Sequence, residues 1–458
     1  MSTPPLEVII LAAGKGTRMR SALPKVLHEL AGKPLLQHVL DTSRQLGAER
    51  LHVVYGFGGD QLRNAITGDD INWILQADQK GTGHAVQLAL ECVDEASTAM
   101  VLYGDVPLVS PHSLQAMLDA AGHDAVGLMT AMLDDPAAYG RIIRDENNRF
   151  KEIVEFSDAT DVQRAVQEIN TGFLAAPAKR LKKWLSGINS DNAQGEFYLT
   201  DIFALAVADG VGVETCQPVT SDETLGVNNR LDLSVLERIY QQQSADRLMM
   251  QGLTLRDPSR FDLRGDLVHG QDCSIDINTV ISGEVVLGDR VSIGPNCILN
   301  NVKVGNDVEI KANCVFENAT IGVGAIIGPY ARLRPAADIG PAAHIGNFVE
   351  VKKSTVGEGS KVNHLSYVGD TEIGSGVNVG AGVITCNYDG ANKHRTVIGD
   401  DAFIGSDTQL VAPVSVGKGA TIGAGSTITS DAPDNTLTLS RATQVSIEGW
   451  QRPEKTEK

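Results

Sequence analysis

The second half of the chain repeats every six residues. Apolar side chains stand at 287, 293 and 299, at 304, 310 and 316, and at 321, 327 and 333. They continue at 339, 345 and 351, at 356, 362 and 368, and at 373 and 379. Inside each group the step is six, and the groups begin 17 or 18 residues apart. After a gap the pattern resumes at 398 and runs through 404, 410, 416, 422 and 428. Many of these residues precede a glycine, as in Ile293-Gly294, Ile345-Gly346 and Ile404-Gly405. A six-residue step with an inward apolar residue and a turn is the mark of a parallel β-helix with three short strands per coil. Valine-rich antiparallel strands, the alternative, have no reason to keep such a step over so many positions. One departure matters. From Val379 to Ile398 is 19 residues where two steps take 12, so about seven are inserted. The insertion includes TCNYDGANKHR, Thr385 to Arg395, and is expected to project as a loop, a common place for a binding face in repeat folds.

The first half has a different grammar. LEVIILAAG reads as a buried strand, LLQHVLDTSRQLG as an amphipathic helix and LHVVYG as the next strand; INWILQ, GHAVQLALECV and AMVLYGD repeat the scheme. This alternation predicts an α/β domain with a mostly parallel sheet, helices on both faces, and ligands beyond the carboxyl ends of the strands. Gly14 and Asp105 both fall at such ends. The turn after the first strand, Gly14-Lys15-Gly16-Thr17, has neither the frame of a P-loop nor, with Met19 in the third glycine's place, a dinucleotide fingerprint. A glycine turn at a strand end still presents backbone N–H groups to an anion. Between the halves, NNRLDLSVLERIYQQQSADRLMMQG has helical spacing at Leu233, Leu236, Ile239 and Tyr240, with Asn229 as cap and Gly252 as stop. The expected division is therefore 1–230, a joining helix over 231–251, and 252–458.

A net charge of −18 argues against nucleic-acid or membrane-surface partners, which call for basic patches. Residues 1–10 lack a charged segment followed by an apolar core, and no run approaches the ~18 apolar residues of a membrane span. Six scattered cysteines without a C-x-x-C pair fit reduced thiols, and the expected location is the cytoplasm.

The string LAAGKGTRMRSALPKVL, Leu11 to Leu27, resembles the signature of sugar-phosphate nucleotidyltransferases, which join a sugar 1-phosphate to a nucleoside triphosphate and release pyrophosphate. QADQKGTGHA, LYGDVPL, YGRIIR, EIVE, EINTG and LGVNNR extend the match. With GNFVEVKKS, VNHLSYVGD and NYDGANKHRT added, nearly the whole chain resembles the bacterial bifunctional N-acetylglucosamine-1-phosphate uridyltransferases/glucosamine-1-phosphate N-acetyltransferases. The resemblance implies that Leu11, Ala12, Ala13 and Gly14 meet the uracil and ribose end of UTP, and that Gln76, Gly81 and Thr82 read the base. Gly16, Thr17 and Arg18 then approach the phosphates, with Lys25 beside the one attacked; Arg18 and Lys25 are the cations expected to stabilise its growing charge. Tyr103 and Gly104 belong to the same UDP-sugar site, Asp105 and Asn228 are the implied Mg²⁺ ligands, and Gly140, Glu155 and Asn170 hold the sugar ring.

For the second half the resemblance implies acetyl transfer from acetyl-CoA to a sugar amine. His364 is the implied general base and Glu350 the carboxylate that orients it. Arg334, Lys352 and Tyr367 are the implied clamp on the sugar phosphate, with Asn378 and Lys393 adding sugar contacts. Ala381, Asn387, Tyr388, Ser406 and Ala424 form the implied acetyl-CoA site, and Arg441 meets the cofactor's phosphates. The family's β-helix is left-handed and trimeric, so a homotrimer acting only on small molecules is expected, in a route to bacterial cell-wall precursors. The rival expectation keeps the nucleotidyltransferase and makes the β-helix a regulatory or oligomerising module.

Overall fold

All seven residues of Leu6–Ala12 are buried, which puts this strand, β1, inside a sheet covered on both faces. The computed structural model describes residues 4–137, 139–190, 195–453 and 455, and the chain divides into two units, Met1–Tyr240 and Gln241–Lys458. In the first unit β1 pairs in parallel with β2 (Arg50–Tyr55), which pairs with β3 (Ile71–Leu75). On its other side lies β4 (Thr98–Tyr103), also parallel. Beyond β4 come β6 (Glu168–Pro177), β5 (Val126–Met132) and β7 (Val213–Cys216), in the order β7-β5-β6-β4-β1-β2-β3. β6 runs antiparallel to both neighbours, so the sheet is mixed. Alternate residues of β1 feed two separate cores. Ile9 and Leu11 pack with Val86, Val101 and Leu174, while Val8 and Ile10 pack with Leu36, Val53 and Met100.

The helix Arg230–Met250 is capped by Asn229, whose Oδ1 accepts from the N–H groups of Leu231 (2.8 Å) and Asp232 (3.0 Å). The division between the units falls inside this helix, between Tyr240 and Gln241, rather than at its ends. Within the first unit Leu236 is buried with Met19, Leu30 and Leu35; within the second, Ala245 and Leu248 join the β-helix core.

The second unit is a parallel β-helix. Three inward columns run along it, each adding one side chain per coil, and their members are almost wholly buried. One contains Ile275, Ile293, Ile310, Ile327, Ile345 and Val362 in direct register. The apolar positions of the six-residue pattern are the core, with Phe316 filling one place on the second column. Partners on adjacent coils lie 17 or 18 residues apart until the insertion, where Thr371 pairs Thr396 and Asn378 pairs Phe403, 25 apart. The extra residues leave at a corner and the columns continue above them.

In that same coil the second column changes chemistry. Thr385 stands on the inward site between Val368 and Leu410, and its Oγ1 accepts from the buried Gly369 N–H at 2.8 Å. Thr385→Val restores the apolar pattern but strands that N–H, at about 1–3 kcal/mol. The urea midpoint of Thr385→Val is therefore expected to fall with unchanged slope; an unchanged or higher midpoint means apolar packing outweighs the lost hydrogen bond.

Candidate functional site

The glycine turn is built by what it must avoid. Gly16 has φ of 58°, and a Cβ there would stand 2.6 Å from Lys25 Cβ. Its close approach brings Lys25 under the turn, while Met19, buried at the end of the short helical turn Thr17–Met19, anchors the far side. Around Gly14 a Cβ meets nothing within 4 Å, so the backbone here faces open space. The Gly104 N–H donates to the Leu11 carbonyl at 2.9 Å and sets Tyr103–Asp105 beside the turn. The Val227 N–H donates to the Asp105 carbonyl at 2.9 Å and so delivers Asn228 to the same place. Lys25 is ion-paired to Asp105, and Arg18 Nη2 donates to Asn228 Oδ1 at 2.8 Å.

Two cavities meet here. The one at the turn, about 260 Å³, is bounded by Leu11–Gly14, Lys25, Gln76 and Asp105. Buried Gln76 donates from Nε2 to the Gly81 carbonyl at 3.1 Å. The other cavity, about 420 Å³, is walled by Glu155, Phe156 and Asn170, and shares Thr82 and Tyr103 with the first. Gly172, with φ of 83°, lets the Tyr103 ring approach the backbone, since a Cβ would sit 2.5 Å from it. Gly140 is in neither wall but supports the second cavity: its carbonyl accepts from the Asn170 N–H at 2.9 Å, and a Cβ would touch Glu155 Oε2 at 3.4 Å. Burial raises the Glu155 carboxyl above its ordinary value, and Asp158 and Asp201 add to that; the Thr200 hydroxyl at 3.4 Å opposes it. Burial, then the Asp105 charge, likewise raises the Tyr103 phenol.

Some residues of this site were not anticipated. Gln79 donates to the Ala13 carbonyl and lines the first cavity. Glu196 lines both cavities, and Tyr198 and Thr200 line the second. Gly81, at φ of 107°, leaves room for this segment, because a Cβ would lie 2.5 Å from the Phe197 carbonyl oxygen. Arg141, almost wholly buried, spends its guanidinium on the carbonyls of Pro136, Ala137, Tyr139 and Arg164, and so fixes the loop that carries Gly140. The only signal for it was its place in YGRIIR.

In the β-helix the named residues form two groups on either side of the strand Tyr367–Gly369. One group is cationic. Arg334 Nη1 pairs with Glu350 Oε1 at 2.8 Å, Glu350 stands in register below Tyr367, and the Lys393 ammonium, then Arg334, push the Lys352 amine below its ordinary value. Asn387 opens the inserted loop and donates to Asp370 Oδ2 at 2.5 Å. The loop closes on itself: Tyr388 OH donates to the Gly390 carbonyl at 2.6 Å, and Asp389 accepts from the N–H groups of Ala391 and Asn392 and contacts His394. The Asn392 N–H, then His394, hold the Asp389 carboxyl well below its usual range.

The other group is a column at one corner. Backbone bonds step from Asn347 to His364, Ala381, Ser406 and Ala424 on successive coils. Arg441 closes its top, beside Gly423 and Gly425. Asn378 lies on the strand before this corner, in register with Lys361 and Phe403, and apart from the cationic group. The expectation for Glu350 is corrected: its carboxylate takes Arg334, and the partner of His364 Nδ1 is Asn347 Oδ1, at 2.9 Å. Asn347 lies 17 residues before His364, one coil below it, whereas Glu350 lies one coil below Tyr367.

Residues 8–170 match the family described as MobA-like NTP transferase domain, and residues 395–430 match the bacterial transferase hexapeptide family, six repeats. Among solved structures, the chain is similar to a protein from Bacillus anthracis described as a glucose-1-phosphate thymidylyltransferase, crystallised with sucrose. Identity is 19% over 51% of this chain and 94% of the other, with a TM-score of 0.41. It is also similar to a nucleotidyl transferase from Methanothermobacter thermautotroptrophicus, at 16% identity over 52% of this chain and 99% of the other, with a TM-score of 0.38. The chain thus combines a nucleotidyltransferase domain with transferase hexapeptide repeats. Among the described residues no helix is long and apolar enough to cross a membrane.

The raised Glu155 carboxyl makes a stability prediction. A carboxyl whose folded pKa exceeds its unfolded one contributes fully below the unfolded value and loses that contribution as pH rises through the folded one. Glu155→Gln removes the titration. The mutant is expected to melt above wild type at pH 8, by a margin that shrinks toward pH 5; a margin that grows on acidification would reverse the assignment.

Proposed function

We propose that the chain is a bifunctional enzyme. The β-helix acetylates glucosamine 1-phosphate from acetyl-CoA, and the first unit joins the product to UTP with release of pyrophosphate. The observation that carries this reading is the two-part cavity with Lys25 and Asp105 in the wall of its nucleotide half. The part floored by the backbone of Leu11–Gly14 and by Gln76 has the shape and amide chemistry for a base and ribose. The part walled by Glu155 and Asn170 offers acceptors and an amide to sugar hydroxyl and acetamido groups. Arg18 and Lys25 then face the phosphates between them, where in-line attack of a sugar-phosphate oxygen builds negative charge.

The residues fit a magnesium ion. Asp105 and Asn228 bring two hard oxygens together through the Val227–Asp105 backbone bond, each oxygen now faced by a cation, Lys25 or Arg18. When bound, such an ion supplies charge neutralisation on the triphosphate. With Asp105 and Asn228 given to such an ion, Lys25 and Arg18 would be free to meet the phosphates.

In the β-helix, Arg334, Lys352 and Lys393 gather positive charge as a sugar phosphate requires, in a protein of net charge −18. His364 takes the proton of the amine as its nitrogen attacks the thioester carbonyl; the C–S bond then breaks, and coenzyme A leaves as the thiol with the proton returned by His364, while the column Ala381–Ser406–Ala424 with Arg441 carries the cofactor. The two groups stand on opposite sides of one strand, which suits completion of each site by another copy. A further feature supports a homotrimer. The corner below this site carries asparagines at 278, 296 and 313, but Tyr330, Phe348 and Leu365 replace them on the next coils. All three are at least half exposed at positive φ, an apolar edge fit to be covered by a second copy. A nucleotidyltransferase with a non-catalytic β-helix has no use for this constellation.

The decisive assay supplies glucosamine 1-phosphate, acetyl-CoA, UTP and Mg²⁺ and omits each in turn. Omitting acetyl-CoA is expected to stop UDP-sugar formation unless N-acetylglucosamine 1-phosphate is added; a product formed equally well without it removes the acetyl step. Asp105→Ala is expected to lower uridyl transfer by roughly 10²–10³ and to leave acetyl transfer near wild type. His364→Ala should show the converse: acetyl transfer down by ~10²–10⁴, acetyl-CoA binding and uridyl transfer retained. Loss of both activities in either folded mutant contradicts separate sites.

A further inference from the structure

We propose that Asn347 is a positioning residue that fixes the tautomer of His364, accepting a hydrogen bond from Nδ1–H and leaving the Nε2 lone pair as the basic site. The inference rests on the acetyl-transfer reading above. A neutral imidazole has one donor and one acceptor nitrogen, and the partner of one decides what the other can do. Here the contact is Nδ1 to Asn347 Oδ1, 2.9 Å. The backbone holds the pair in place, because the Leu365 N–H donates to the Asn347 carbonyl at 3.1 Å and the two residues are in register on adjacent coils. Were the amide turned over, its NH₂ would occupy Nδ1, the proton would sit on Nε2, and the ring could not accept one there.

The surroundings explain why an amide serves better than a carboxylate. Lys361 on the same strand is cationic, while on the coil below burial, then the charge of Lys311, pushes His344 toward its neutral form. Around the corner Glu350 is engaged by Arg334, with Tyr367 above it, and the coil above offers uncharged Ala381. No carboxylate on these elements contacts Nδ1, so the imidazolium that forms is not held.

The test uses the full chain labelled with ¹⁵N-histidine, with the His364 signals assigned by their loss in His364→Gln. Above its titration range His364 is expected to show a protonated Nδ1 and a free Nε2; a predominantly Nε2-protonated ring overturns the proposal. Asn347→Asp places a carboxylate on Nδ1–H and is expected to raise both the His364 titration and the acid limb of kcat/KM for acetyl transfer, by about 0.5–1 pH unit at this exposed site. Asn347→Ala should lower kcat about tenfold at unchanged KM for acetyl-CoA, as loss of an orienting partner does. A purely structural Asn347 predicts lower stability in both variants with neither shift, and that result also overturns the proposal. Normal acetylation by His364→Gln removes the underlying reading instead, and the resonance measurement still decides the tautomer.

Discussion

Parallel strands in register are the constraint on which both units depend. A parallel pair cannot be closed by a tight turn, so the chain must travel before it returns. When it returns, residues far apart in sequence arrive at one level. In the first unit this sets Ala13, Gly56 and Gly104 at one edge of the sheet, because β1 is paired in parallel on both sides from Glu7 to Leu11. In the β-helix it turns a regular spacing of residues into columns, inward ones that form the core and outward ones that form surfaces. Each inward aliphatic is worth roughly 1.5–3 kcal/mol of burial, and the stack as a whole holds the outward side chains in fixed order.

Much of this was legible because burial imposes a period. The six-residue step is visible wherever an apolar residue points inward, and it survives substitutions such as Phe316. It fails at Thr385, where a buried hydroxyl meets a backbone N–H, since hydropathy does not register a hydrogen bond. The glycine turn was legible for a similar reason: Gly16 is demanded by positive φ and by Lys25 at its back. The segment Glu196–Thr200 was not, because its place over the cavities is fixed by backbone bonds from Gly83 to Phe197 and from Phe197 to Lys80, which any side chains could make. The partner of His364 is the instructive miss. A count of 17 residues back from His364 reaches Asn347, and the same count from Tyr367 reaches Glu350. The coil period contained that contact; the resemblance, which implied Glu350, did not.

Electrostatics divides the labour differently in the two units. In the first, two cations near the turn are each matched to an oxygen, Lys25 to Asp105 and Arg18 to Asn228. A polyphosphate entering this site exchanges partners rather than finding bare charge. In the second, Lys352 and Lys393 are left beside each other, and only Arg334 is paired. Two adjacent ammonium groups repel, so an arriving dianion relieves a tension already present.

The corner column from Asn347 to Ala424 also has a metric. Strands in a sheet lie about 4.8 Å apart, so each coil raises the column by that amount, and the three steps from His364 to Ala424 span about 14 Å. The column is a graduated scale. A molecule that touches the imidazole and Ala424 together has to be extended over that length, and a shorter or folded one reaches only one end. The unit of graduation is a whole coil: adding or removing one moves the upper contacts by a fixed step and leaves every lower one where it was.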